Sequence, residues 1–268
     1  MRKLTWSKIE AFEYKNSSKS CHVGNIHTHS SSARLSVLQN THHNSGTMKC
    51  SIFLTALAMA ATTQAAVQGF DISHWQSSVD FSAAYNTGGL RFVYIKATES
   101  TTYRDPSFSS HYSGATNAGF IRGAYHFAQP GDSSGSAQAD YFVAHGGGWS
   151  NDGITLPGML DMEAGCSGLS TTQMVAWIKS FSDQYQSLTG RWPVIYTNLS
   201  WWTECTGNSN AFVNNSPLML ARWASAPGTI PGGWPYQTIW QYKDSNPYGG
   251  DSDVFNGDLT QLKKLATG

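Results

Sequence analysis

Two carboxylates lie two residues apart in Asp161-Met162-Glu163, just after the apolar Leu156, Met159 and Leu160. In a strand, positions i and i+2 project from one face, so both acids enter one pocket. Two carboxyl groups so placed do not readily ionise together. Repulsion and burial raise one pKa and leave a protonated acid beside a charged carboxylate. Glycosidic cleavage needs that division of labour, with one group protonating the leaving oxygen while the other stabilises charge at the sugar. Glu163 is the expected proton donor and Asp161 its partner. An isolated Asp-x-Glu is more often a solvated strand edge, so its surroundings decide.

Those surroundings alternate short β-branched apolar runs with longer amphipathic stretches, the pattern of parallel strands joined by helices. Eight strands are expected, at residues 67–72, 91–97, 120–126, 158–162, 193–197, 218–223 and 238–242, with a weak last one near Val254 and Phe255. The clearest helix opens at Ser170, which forms a capping box with Gln173 and buries Met174, Trp177, Ile178, Phe181, Tyr185 and Leu188 at helical spacing. Gly190 stands where that helix should end. The α/β pattern predicts a β/α (TIM-like) barrel, and short Gly/Pro-rich connections after Tyr196 predict reduced or missing helices in its C-terminal part.

In such a barrel the C-terminal ends of the strands form the cleft, and polar residues recur there. Asp71 ends the first strand, Lys96 and Glu99 the second, Tyr125 and His126 the third, and Asp161 and Glu163 the fourth. Tyr196 and Asn198, Arg222 and Trp223, and Gln241 and Tyr242 follow on the next three. These are the candidate substrate contacts, each with a plainer reading. Lys96 and Arg222 serve equally as ion-pair partners of rim carboxylates. His126 is either a cleft wall or a satisfied core histidine. His74, His126 and His145 form no compact ligand set, so neither metal nor other cofactor is expected. No serine nucleophile elbow or phosphate loop is present.

The 268 residues, 40% hydrophobic, suffice for one sizeable core. Aromatic and charged residues each make up 13%, a balance unlike that of disordered chains or basic nucleic-acid binders. Residues 1–47 show neither strand nor helix period and read as a non-structural upstream extension. From Met48 to Ala66 a charged start, an apolar run at 51–61 and a small-residue exit read as a secretory signal, too short to span a membrane. Beyond Lys49 there remain ten basic and fifteen acidic residues, a net charge of −5, which disfavours nucleic acid and anionic lipid. A secreted, extracellular monomer is expected, its folded domain spanning 67–268. Cys166 and Cys205 are the cysteines left in that domain, suggesting one disulfide, with two free thiols as the alternative.

Six segments taken in order resemble the glycoside hydrolase family 25 muramidases, the Chalaropsis-type lysozymes. They are Gly69-Phe70-Asp71-Ile72-Ser73 with Trp75-Gln76, Ile95-Lys96-Ala97-Thr98-Glu99, Gly123-Ala124-Tyr125-His126-Phe127, Leu160-Asp161-Met162-Glu163, Tyr196-Thr197-Asn198 with Trp201-Trp202, and Ile239-Trp240-Gln241-Tyr242. The resemblance covers nearly all of residues 67–268. It implies a single flattened, incomplete barrel and hydrolysis of the β-1,4 bond between N-acetylmuramic acid and N-acetylglucosamine in bacterial cell-wall peptidoglycan. It makes Glu163 the general acid, Asp161 its partner and Asp71 a third cleft acid. A fourth comes from an Asp-x-Asn-x-Phe segment, here Asp251-Ser252-Asp253-Val254-Phe255. Asp251 matches that acid by position, while Asp253 stands where asparagine is usual and is expected behind the site or at the surface. The alternatives are a chitinase-like hydrolase and an inactive carbohydrate-binding protein.

Overall fold

A strand that carries apolar residues on both alternating faces needs cover on both sides, which a barrel interior and an outer helix layer provide. Phe92–Glu99 is such a strand, buried throughout except at Glu99. The structure, a computed structural model, describes residues 66–268. The upstream extension and all but the last residue of the secretory signal lie outside the described residues.

In chain order the strands are β1 (Val67–Ile72), β2 (Phe92–Glu99), β3 (Tyr103–Arg104), β4 (Ile121–Phe127), β5 (Met159–Asp161), β6 (Val194–Thr197), β7 (Leu218–Ala221), β8 (Ile239–Lys243) and β9 (Asp251–Phe255). The helices are α1 (Phe81–Asn86), α2 (Phe108–Ala118), α3 (Gly135–Phe142), α4 (Thr171–Thr189), α5 (Leu199–Thr206) and α6 (Leu259–Thr267). The sheet runs β1-β9-β8-β7-β6-β5-β4-β2-β3, and β1 also pairs with β2, which closes eight strands into a ring. β3 hangs outside the ring as a short hairpin on β2.

Each of the eight expected strands is present, and seven of the eight ring strands run parallel. The eighth, β9, runs antiparallel to both neighbours, β1 and β8. The strand ring is therefore complete, and the reduction lies in the helix layer: no helix connects β7 to β8 or β8 to β9. α4 has its capping box at Ser170 and Gln173 and ends at Gly190 in the left-handed conformation. Leu188 departs from expectation. It is 47% exposed, because the apolar stripe of α4 runs past the layer it packs on.

Alternation along the strands creates two kinds of core. Leu160, Ile195 and Leu220 point outward into a cluster with Met174, Trp177, Ile178, Phe181 and Tyr185 of α4. Val67, Phe92, Ile121, Met159, Val194, Met219 and Ile239 point inward and meet Leu262 and Ala266 of α6. Burying each large apolar side chain contributes roughly 1.5–3 kcal/mol. The inward residues at the starts of the parallel strands lie in the same cluster as α6, so this helix closes the N-terminal end of the barrel. Gly69 and Gly123 make room inside: a Cβ at either would collide with the ring of Phe92 or Tyr94.

Cys166 and Cys205 are joined in a disulfide that ties the loop between β5 and α4 to α5. The bridged residues are 39 apart in sequence. Replacing both with serine should lower unfolding free energy by about 3–4 kcal/mol through the entropy restored to the unfolded chain. Urea titration of the double variant checks this, and an unchanged midpoint would refute it.

Candidate active site

Because α6 seals one end of the barrel, the mouth is at the C-terminal ends of the parallel strands. The strands deliver their inward polar residues there: Asp71 from β1, Lys96 from β2, Tyr125 from β4, Asp161 from β5, Tyr196 from β6 and Gln241 from β8. Glu163 follows two residues after Asp161. β9 runs the other way, so its first residue, Asp251, is the one at the mouth, in register with Asp71. Asp253 lies two residues deeper, in register with Gly69 and Gln241. The structure thus gathers five carboxyl groups around one opening.

Gln241 organises four of its neighbours. Its side-chain amide donates to Asp71 at 2.8 Å and to Asp251 at 3.2 Å. Its carbonyl oxygen accepts from the Tyr196 hydroxyl at 3.0 Å and the Trp223 indole at 3.1 Å. Both ends of the amide are used, which fixes its orientation.

Burial is the main cause that raises the proton affinity of these acids. It raises Asp71 to about 6, with Glu163 adding repulsion while hydrogen bonds from Gln241 and Asp253 pull the other way. Asp251 is raised to about 7 by burial, then by Asp71 and Asp244. Asp161 goes well above the carboxylate range through burial and the charge of Glu163, with Lys96 opposing. Glu163 is raised by burial and by Asp251, again opposed by Lys96. Glu163 is only partly buried, whereas Asp161 is 6% exposed, so Glu163 is the more accessible member of the pair.

The remaining expected residues divide. Tyr125 lies among the inward-facing residues, where Asp71, Asp161 and Glu163 act on its hydroxyl. Lys96 pairs with Glu99 at 2.7 Å and sits over the Phe127 ring, so its ion-pair reading is realised while its charge still acts on Asp161 and Glu163. Glu99 is further held by Gln129 at 3.0 Å. Asn198 caps α5, accepting from the Trp201 amide at 2.9 Å. Trp223 is 61% exposed above Gln241. Arg222 turns onto its own loop, donating to the Ala226 carbonyl, and among the described residues it pairs with no carboxylate.

Two residues leave the cleft. His126 is fully buried on the outer face, bonded to Thr98 and Gln138 and packed on Phe142 and Phe181. Burial lowers its pKa to about 4 and keeps it neutral, so it is the core histidine, not a cleft wall. Tyr242 follows the inward Gln241, faces outward and bonds to Gln68 on β1 at 3.2 Å. Asp253 is not at the surface but completely buried. Trp75, absent from the expected contacts, is 70% exposed just past β1, its ring 4.5 Å from that of His74 and tilted 35° to it, and Asp105 anchors His74 at 3.0 Å. Its neighbourhood to Asp71 in sequence was the available signal. Among the described residues no cluster suited to a metal ion is found.

A family model for Glycosyl hydrolases family 25 matches residues 70–251, from the end of β1 to the start of β9. The chain belongs to glycosyl hydrolase family 25. A relative, the N,O-diacetylmuramidase of Chalaropsis sp, is 66% identical over 211 residues, covering 75% of this chain and all of that protein. A solved muramidase from Trichobolus zukalii superposes with a TM-score of 0.75 at 64% identity, covering 75% of this chain and 99% of that one. The bacterial lysozyme of Streptomyces coelicolor gives 0.73 at 50% identity, covering 76% and 98%. Family 25 membership makes this chain a glycoside hydrolase with a mixed α/β barrel.

The raised acids give the fold a pH dependence of definite sign. The native state retains protons that the unfolded chain releases near pH 4, so stability is fully present below that value and lost as pH rises through about 6 to 7. The melting temperature should therefore fall across that interval, and Asp251→Asn should flatten the decline. Calorimetry at stepped pH checks this; stability rising from pH 4 to 7 would contradict the raised values.

Proposed function

We propose that this family 25 hydrolase cleaves the β-1,4 bond between N-acetylmuramic acid and N-acetylglucosamine in bacterial peptidoglycan, with Glu163 as general acid. The carrying observation is the placement of Asp161 and Glu163 at the open end of a barrel whose other end α6 seals. The relatives named above, a muramidase, an N,O-diacetylmuramidase and a lysozyme, support this substrate. Neither the chitinase-like nor the binding-protein reading draws support from them.

In the proposed reaction Glu163 protonates the leaving glycosidic oxygen. The carbonyl oxygen of the sugar's 2-acetamido group attacks the anomeric carbon, and Asp161 orients that group and stabilises the charge it acquires. Glu163, now ionised, takes a proton from water as water opens the intermediate. Asp71 and Asp251, fixed by Gln241, position sugar and water. Lys96, Glu99, Tyr125, Tyr196, Asn198 and Trp223 remain proposed contacts along the rim.

The Met48–Ala66 pattern and the disulfide support secretion of a domain beginning near Val67. No helix among the described residues is long and apolar enough to cross a membrane.

Glu163→Gln keeps the shape and removes the proton, so it should lose at least about a hundredfold in kcat while melting normally. Turbidity clearing of bacterial walls and mass spectrometry of the products measure this; near-normal turnover removes Glu163 from the role. Burial and Asp251 raise Glu163 above the ordinary glutamate value, so its protonated form persists to higher pH than that of a free carboxyl, and activity should decline as it ionises. A maximum above about pH 8 would contradict that order of titration.

Substrate assistance inverts the anomeric centre twice, so the product first released should be the β-anomer. Proton NMR of a defined oligosaccharide digest, read before mutarotation, reports this directly. Initial release of the α-anomer would establish inversion instead, and a glycosyl ester trapped on Asp161 would replace the acetamido group as nucleophile.

A further inference from the structure

We infer that Asp253 is a buried, neutral carboxylic acid whose hydroxyl donates a hydrogen bond to Asp71, making Asp253 a positioning residue that holds Asp71 in its ionised form. The inference rests on the reading of Asp71 as a cleft acid and adds a residue that reading does not use.

The geometry leaves Asp253 few choices. Its strand is hydrogen-bonded on both sides, to β1 and β8, and it lies opposite Gly69 and Gln241 on the inner face. It is 0% exposed, and no N–H or hydroxyl reaches either of its carboxyl oxygens. The donors nearby are already directed elsewhere. The Gln241 amide serves Asp71 and Asp251, the Tyr196 hydroxyl and Trp223 indole serve Gln241, and the Tyr94 hydroxyl donates to the Pro157 carbonyl. An ionised Asp253 would be a buried charge with no donor, beside two other acids.

A proton resolves this. Protonated, one oxygen of Asp253 becomes a donor, and the acceptor it meets is the carboxyl of Asp71, which lies on the same inner face two residues along β1 from Gly69, the register partner of Asp253. The proton stays on Asp253 because Asp253 is wholly buried while Asp71 is partly open to the mouth. Burial and the charges of Asp71 and Asp251 push Asp253 well above the carboxylate range, and its hydrogen bond draws Asp71 down. The titratable groups facing this pair are Asp251 on β9, Tyr94 on β2, Tyr125 on β4, Asp161 on β5 with Glu163 beyond it, and Tyr196 on β6, with the neutral Gln241 on β8. Among the described residues no Lys, Arg or His forms an ion pair with Asp71, Asp251 or Asp253. Lys96 acts on Asp161 and Glu163 instead. Asp71 thus has two neutral donors, Gln241 and Asp253, where a cation would otherwise be needed.

Two variants separate donation from packing. Asp253→Asn keeps the shape and an N–H donor, while Asp253→Leu keeps the volume and removes the donor. Asn should retain kcat/KM within about threefold with an unmoved acidic limb of the pH profile, whereas Leu should lose about tenfold or more. Its acidic limb should move to higher pH, since Asp71 without its second donor ionises less readily. An unmoved limb in Leu, or an equal shift in Asn, overturns the inference. Infrared difference spectra of folded wild type against Asp253→Asn, between about pH 5 and 7, read the proton without reference to turnover. A protonated-carboxyl C=O band assigned to Asp253 is expected, and an ionised carboxylate band there refutes the inference even if Asp253→Leu does not fold. Glu163→Gln measured alongside keeps the two readings apart. Its retention of activity removes the catalytic assignment and leaves the infrared result standing, whereas its inactivity beside an unmoved Leu profile removes only Asp253.

Discussion

Five carboxyl groups facing one opening in a low-dielectric barrel is the constraint on which the rest of this structure depends. Left ionised, they would repel one another and forfeit hydration, a combination that no ordinary barrel core could offset. The chain meets this by three means. Burial holds a proton on Asp253, Gln241 supplies neutral donors to Asp71 and Asp251, and Lys96 opposes the rise in proton affinity at Asp161 and Glu163. The outcome is a set of acids whose proton affinities spread over a wide range. Acid–base chemistry near neutrality requires such a spread.

Much of the barrel is legible in the residues. Parallel strands buried on both faces read as continuous apolar runs, and the Ser170 capping box with Gly190 at its far end brackets α4 closely. The antiparallel direction of β9 is not legible, because a five-residue strand has the same alternation read in either sense. Nor does periodicity show where a helix outruns its support, as α4 does at Leu188.

The site is legible to the extent that strand alternation governs it. Asp71, Asp161 and Gln241 follow from strand ends, but one residue of offset separates inside from outside. Tyr242, next to Gln241, therefore falls on the outer face. His126 falls in the outer layer for the same reason, since it follows the inward Tyr125 on β4, and there it meets Thr98 of β2 across the strands. The same rule that paired Asp161 with Glu163 pairs Asp251 with Asp253. What the sequence does not convey is depth, since burial separates an accessible acid from a sealed one.

The antiparallel β9 has a consequence for how this protein comes into being. The ring closes only when β9 inserts between β1 and β8, and the Gln241 bond to Asp71 spans 170 positions of chain. Neither the barrel nor its acid cluster can exist on a nascent chain that stops short of residue 251. Contacts so distant in sequence make assembly slow, because loop-closure entropy is lost before the final contacts form. The acid cluster is therefore completed only at the end of assembly, once β9 is seated between β1 and β8.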